Sequence, residues 1–356
     1  MVIDIVKVML PASLAFIFGI GIAPILSHYL YKFKAWKKKG GKKAFDGKEA
    51  VIFNSLHEEK EVGTPRMGGI VIWGSVALTV IFLWLLGFFA PTETTLKLDF
   101  LSRSQTWLPF FGLMVGAIVG FLDDYLEIRG STDYQAGGLS LTKRLAVVSA
   151  TALFAGWWFY EKLDVSTISF PFFGDVTLGW LIVPFFVFLT LVLYTSGVID
   201  GIDGLSGGVF ASVFAGYAAI AFYQQQIDLA AFSATILGGI LAFLWFNIPP
   251  ARFYMTETGT MGLTIALAII VFMTDSLGGG HGIAVLPIVG FLLVVTALSS
   301  VLQIFWKKVF KRKLFPMAPL HHYFESIGWP GYKVTMRYWI LGIMFAFFGV
   351  LVALVG

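Results

Sequence analysis

Runs of about twenty predominantly apolar residues recur along this chain, near 8–31, 68–90, 107–122, 144–160, 179–198, 207–223, 230–247, 260–275, 283–306 and 336–355. A bilayer core about 30 Å thick is crossed by about twenty helical residues, and helices are the simplest way to satisfy the backbone there. Composition agrees, at 58% hydrophobic and 13% charged, with a mean hydropathy of +0.83. The expected fold class is an all-α integral membrane protein of about ten transmembrane helices, a single polytopic unit over residues 1–356. The opening "MVIDIVKVMLPASLAF" has no small-residue cleavage site before its long apolar continuation, so it reads as the first span and not as a removable signal.

Charge sets the orientation. The loops after odd-numbered spans hold 21 of the 25 basic residues, including nine Lys in 32–63. The positive-inside rule therefore places 32–63, 124–142, 199–206, 248–259 and 311–332 in the cytoplasm and both termini outside. The run "KFKAWKKKGGKKAFDGK" is first of all this topological signal, and secondarily a surface for acidic membrane lipid; no nucleic-acid partner is expected. The outer segment "STISFPFFGDVTLG" alternates as a small hairpin does. The ninth span continues from Ile283 to Phe310, about 40 Å if helical, so as one helix it would overshoot the bilayer.

With that topology, acids and imidazoles gather on one side. Asp123 and Asp124 close the third span, Asp200 and Asp203 follow the fifth, Glu257 the seventh, and His321 and His322 the ninth. Each has an ordinary reading, as a helix cap or a solvated loop group. Adjacent carboxylates are harder to dismiss, since two charges 4 Å apart repel by about 4 kcal/mol at an effective dielectric of 20. In "GVIDGIDGLSGG" the two aspartates lie three apart among glycines that let a bulky anion approach the backbone. Carboxylates meet phosphate through a divalent ion, and a chain without cysteine offers oxygen ligands that suit Mg²⁺. Lys60, Arg66, Lys143 and Arg252 supply positive charge in the same loops. The combination points to Mg²⁺-dependent phosphate transfer at the cytoplasmic membrane surface.

The blocks "VGTPRMGG", "GFLDDYLEI", "GGLSLTK", "VIDGIDGLSGG", "FNIPPARF" and "MAPLHHYFESIGWP" occur in this order. Together they resemble the phospho-N-acetylmuramoyl-pentapeptide transferase family, of the polyprenyl-phosphate N-acetylhexosamine-1-phosphate transferase superfamily. The resemblance implies a bacterial plasma (inner) membrane enzyme with UDP-MurNAc-pentapeptide and undecaprenyl phosphate as substrates. It implies catalytic roles for Asp123, Asp124, Asp203, His321 and His322, with Glu257 and Asp124 at the metal. Lys60, Thr64, Lys143, Asp200 and Asn247 would line the substrate cleft. The chain departs from the family pattern at Arg66 (usually Thr), Glu127 (Lys), Gly197 (Asn), Thr256–Glu257 (Gly-Asp) and Tyr323 (His). A homodimer is left open.

Three other readings remain at this point. A transferase of N-acetylglucosamine phosphate from the same superfamily would share most blocks, although "PLHHYFESIGWP" favours the muramoyl branch. A cation-coupled transporter would place its acids near the midplane within interrupted helices, not at helix ends on one side. A binding protein without turnover is the third.

Overall fold

The computed structural model describes residues 2–38, 40–41, 54–55, 62–101, 105–130 and 138–356. In chain order its helices are α1 (Val2–Lys32), α2 (Ile70–Phe89), α3 (Glu93–Leu98), α4 (Trp107–Arg129), α5 (Leu141–Lys162), α6 (Ile182–Thr195), α7 (Leu205–Tyr223), α8 (Ile227–Asn247), α9 (Thr256–Phe272), α10 (Gly282–Val289), α11 (Phe291–Phe310), α12 (Leu320–Ser326) and α13 (Gly331–Val355). Among the described residues nine helical segments are long and apolar enough to cross a bilayer. The fourth expected span forms α5, of similar length but less apolar, with Lys143, Arg144, Glu161 and Lys162 at its ends. The expected hairpin is present, β1 (Thr167–Phe170) pairing antiparallel with β2 (Gly174–Thr177).

Burial ranks the helices. The segment beginning with α9 is 94% buried over its most apolar stretch, and α7 and α8 are 72% and 78% buried, so these three make the centre. The α1, α11 and α13 helices, at 17%, 28% and 22%, form the outside. The closest pairing of α4 with α9 rests on Gly112, Gly116 and Gly120, four apart and so on one face. A Cβ at Gly116 would lie 2.7 Å from Gly262 Cα, and one at Gly120 would collide with the Glu257 carbonyl. Small residues at this spacing let two membrane helices approach backbone to backbone. Four residues further along the same stripe stands Asp124, which the helix geometry therefore drives into the α4–α9 seam.

The ninth span is not one helix. Pro287 has no N–H to donate, and the helical run stops at Val289; Gly290 separates α10 from α11. The α10 helix packs on α13, while α11 contacts the 196–199 turn and leaves Leu298, Val301, Leu302 and Phe305 about half exposed. At the end that carries the hairpin Asp275 accepts from Ser169 N and Ile283 N, both at 3.1 Å, fastening the hairpin to α10. A Lys7–Asp228 ion pair joins the N-termini of α1 and α8 at that end.

Candidate active site

The opposite end gathers the candidate site residues. Here the C-termini of α4, α6 and α8 meet the N-termini of α5, α7 and α9, and loops far apart in sequence are tied by side-chain hydrogen bonds. Asn247 accepts from Gly204 N (3.0 Å) and donates to Phe253 O (2.8 Å). Asp200 accepts from Ser206 Oγ (2.6 Å) and from Thr256 N (2.8 Å), joining the start of α7 to the start of α9. Burial pushes the Asp200 carboxyl above its ordinary range, with the Ser206 and Thr256 donors pulling the other way. Asp203 accepts from Ala251 N (3.1 Å), while its own carbonyl accepts from Thr335 Oγ1 (2.9 Å). Thr64, Asp203, Pro249, Pro250, Ala251 and Tyr254 line a pocket of about 330 Å³ beside this loop.

The two histidines close the same loop from α12. A Cβ on Gly201 would lie 2.6 Å from His321 Nε2 and 2.7 Å from His322 Nε2, so glycine is what lets both rings sit against the backbone of 200–204. His322 Nδ1 is 2.6 Å from Glu325 Oε2, which fixes the ring with Nε2 toward the loop.

Two arginines divide the acids between them. Arg66 reaches Asp124 Oδ1 with Nη2 (3.0 Å) and Nε (3.3 Å), and Glu127 Oε2 with Nη2 (2.7 Å). Burial would weaken the Arg66 charge, but Asp124 and Glu127 outweigh it and hold the guanidinium protonated above its usual range. The other Asp124 oxygen receives Thr258 N (2.9 Å), Thr258 Oγ1 (2.5 Å) and Thr256 Oγ1 (2.5 Å). A carboxylate offers about four lone-pair sites, so Asp124, fully buried, has none to spare. Thr256 itself sits at φ +56°, a left-handed conformation that is costly for a β-branched residue. Its N–H on Asp200 and its hydroxyl against Asp124 hold it there.

Arg144 serves the second group. Its Nη1 lies 2.7 Å from Glu257 Oε1 and 3.8 Å from Asp123 Oδ2. Asp123, itself buried, accepts from Leu139 N on Oδ1 at 2.6 Å, and its Oδ2 is turned toward Arg144. Among the described residues Glu257 Oε2 has one long contact, to Thr260 Oγ1 at 3.4 Å, and Arg144 Nε is buried without a hydrogen-bond partner. Among the described residues this half retains open valences, whereas Asp124 in the Arg66 half has none.

The sequence of residues 106–275 matches the family described as Glycosyl transferase family 4. Proteins named phospho-N-acetylmuramoyl-pentapeptide-transferase are similar over nearly the whole chain. That of Listeria welshimeri is 33% identical over 307 residues, covering 84% of this chain and 86% of the relative. That of Rickettsia massiliae is 32% identical, covering 96% and 90%, and that of Anoxybacillus flavithermus 30%, covering 96% and 97%. The chain belongs to the phospho-N-acetylmuramoyl-pentapeptide-transferase family. Within that family pattern, two of its departures are partners: Arg66 and Glu127 are 2.7 Å apart. A third, Thr256, holds the left-handed position that the usual glycine takes without strain.

Of the residues expected in the site, Asp123, Asp124, Asp200, Asp203, Asn247, Glu257, His321, His322 and Thr64 all stand at this end. Lys60 lies outside the described residues. Lys143 is exposed on α5, whose start is capped by Ser140, and the neighbouring Arg144 turns inward instead. Asp124, expected at the metal, is saturated by protein donors. Arg144 and Thr258 were not singled out by the motifs; Arg144 is the residue after the "GGLSLTK" block, and only helix rotation of about 100° per residue tells it from Lys143.

Proposed function

We propose that the chain transfers phospho-MurNAc-pentapeptide from UDP-MurNAc-pentapeptide to undecaprenyl phosphate at the cytoplasmic face of the bacterial plasma membrane. The observation that carries this reading is the open half of the site. Asp123 and Glu257 lie on either side of Arg144, beside glycine-bearing loops and the histidine pair, at the membrane end where a lipid phosphate would present itself.

An oxygen of the lipid phosphate forms a bond to the sugar-bearing phosphorus of the donor, and the bond from that phosphorus to the bridging oxygen breaks, so UMP leaves with that oxygen. Both reactants are anions, so placement and charge neutralisation dominate over base strength. Asp123 Oδ2 faces the acceptor phosphate, positioned by the Leu139 N–H on its other oxygen. Arg144, whose buried Nε lacks a partner among the described residues, turns toward diphosphate oxygens as a fixed donor. His321 and His322 border the diphosphate from above Gly201, and Asp200, Asp203, Asn247 and Thr64 shape the donor pocket.

The oxygen donors of Asp123 and Glu257 fit Mg²⁺, a hard ion held by one or two carboxylates together with substrate phosphates, whereas saturated Asp124 does not. When bound there, Mg²⁺ neutralises diphosphate charge and orients the leaving group. The α11 helix suits a lipid acceptor, with an exposed apolar face and Lys307, Lys308, Lys311, Arg312 and Lys313 at its cytoplasmic end.

The reading is tested with purified protein, UDP-MurNAc-pentapeptide and a polyprenyl phosphate. UMP release that needs both the lipid and Mg²⁺ is the expected result. Release with UDP-N-acetylglucosamine but not with the pentapeptide donor would transfer the chain to the rival reaction.

A further inference from the structure

Asp123, Asp124 and Glu127 place ligand oxygens within 4.8 Å of one another at the end of α4. Such a trio ordinarily calls for a cation, since like charges this close repel strongly. Here a cation is already in place and is part of the chain. Arg66 arrives from the segment before α2 and lays its guanidinium on Asp124 Oδ1 (3.0 and 3.3 Å) and Glu127 Oε2 (2.7 Å). Lys37 Nζ adds a second positive group 3.4 Å from Glu127 Oε1. The remaining Asp124 oxygen is filled from α9 by Thr256 and Thr258.

We infer that Arg66 is a built-in counter-ion that occupies the metal seat between Asp124 and Glu127, keeping divalent metal out of this half and confining it to the Asp123–Glu257 half. This rests on the transfer reading only for the claim that the second half does use a metal. A guanidinium does not lose its proton at any working pH and forms directional hydrogen bonds to two carboxylates at once. A divalent ion entering the same seat would have to expel it and strip Asp124 of donors that also hold the start of α9. Arg66 and Asp124 are therefore positioning residues, and charge neutralisation on this side does not vary with the Mg²⁺ concentration.

The test uses full-length protein purified in detergent without substrate, with free Mn²⁺ followed by electron paramagnetic resonance. Arg66→Ala is expected to bind one more Mn²⁺ than wild type, at least about tenfold tighter than any further ion on wild type, because it frees Asp124 Oδ1 and Glu127 Oε2 and leaves Lys37, on the far oxygen of Glu127, as their one remaining cation among the described residues. Arg66→Ala/Glu127→Gln is expected to lose that extra ion, and Glu127→Gln alone to bind as wild type does. The inference is overturned if Arg66→Ala binds no more Mn²⁺ than wild type, or if Glu127→Gln loses an ion that wild type held. Should Arg66→Ala fail to purify folded, Glu127→Gln decides alone: unchanged binding upholds the inference and a lost ion overturns it. UMP release does not enter, so failure of the transfer reading leaves this outcome legible, and the converse holds.

Discussion

The two arginine-centred halves of the site look alike in composition and differ in saturation. Arg66 meets Asp124 and Glu127, and the fully buried Asp124 is surrounded by donors. Arg144 meets Glu257 and Asp123, yet among the described residues its Nε has no partner and Glu257 Oε2 has one long contact. The difference follows from α4 itself. Asp124 continues the stripe of Gly112, Gly116 and Gly120 into the seam with α9, while Asp123, about 100° around the helix, is turned toward Leu139 and Arg144. Adjacent aspartates in one motif thus stand in different surroundings: one is tied between two helices, and the other is the one to which the proposed reaction assigns chemistry.

Neutralising Glu257 should break the open half most completely. Glu257→Gln keeps the shape but removes the charge a metal needs, and Mg²⁺-supported UMP release should fall by about a hundredfold or more at any Mg²⁺ concentration. Glu257→Asp should retain substantial turnover, with a higher Mg²⁺ requirement because Arg144 must follow the shorter side chain. Wild-type turnover in Glu257→Gln, with unchanged Mg²⁺ dependence, would remove this residue from the site.

The closed half should fail differently. Asp124→Asn replaces one acceptor oxygen by an NH2 that faces donors and leaves Arg66 with Glu127 alone, and each buried donor stranded in this way costs about 1–3 kcal/mol. The expected result is a large drop in unfolding temperature or in yield of folded protein, visible before any activity is measured. A variant as stable as wild type would contradict the fastening role. Packing of the same seam is probed by Gly116→Ala, whose methyl would press on Gly262 Cα. Forced overpacking of this kind destabilises by about 1–3 kcal/mol, read as a lower unfolding temperature.

The smallest effects separate neighbours on α5. Arg144→Gln should raise KM for the nucleotide donor by about tenfold, the loss of one charge-assisted contact. Lys143→Gln, on the exposed side, should stay within about twofold of wild type. Equal effects at both positions would mean that α5 is turned about its axis, away from the orientation that turns Arg144 onto Glu257 and Lys143 to the exposed side.

Much of this was legible in the chain. The apolar runs located the helices, and the outer hairpin was visible in the alternation of "STISFPFFGDVTLG". The gathering of acids and histidines at one end followed from counting spans and basic residues. The break at Gly290 was less so, because Pro287 and Gly290 lie within a run apolar enough to read as one helix. Least legible was the partition of charge. Arg66 and Asp124 are 58 positions apart, and Arg144 and Glu257 113 apart, so no local pattern pairs them. The glycines four apart leading to Asp124 did carry a signal for its burial, since helix periodicity alone puts it on the packed face.

Asp123 tests the account most directly, because it differs from Asp124 by a single position. UMP release from UDP-MurNAc-pentapeptide and undecaprenyl phosphate should be measured for Asp123→Asn beside wild type, on protein whose unfolding temperature is measured in the same preparation. Turnover at least about a hundredfold lower, with the unfolding temperature retained, is the predicted result. Wild-type turnover, or a loss of turnover that merely follows a loss of folded protein, would contradict the assignment of chemistry to this half of the site.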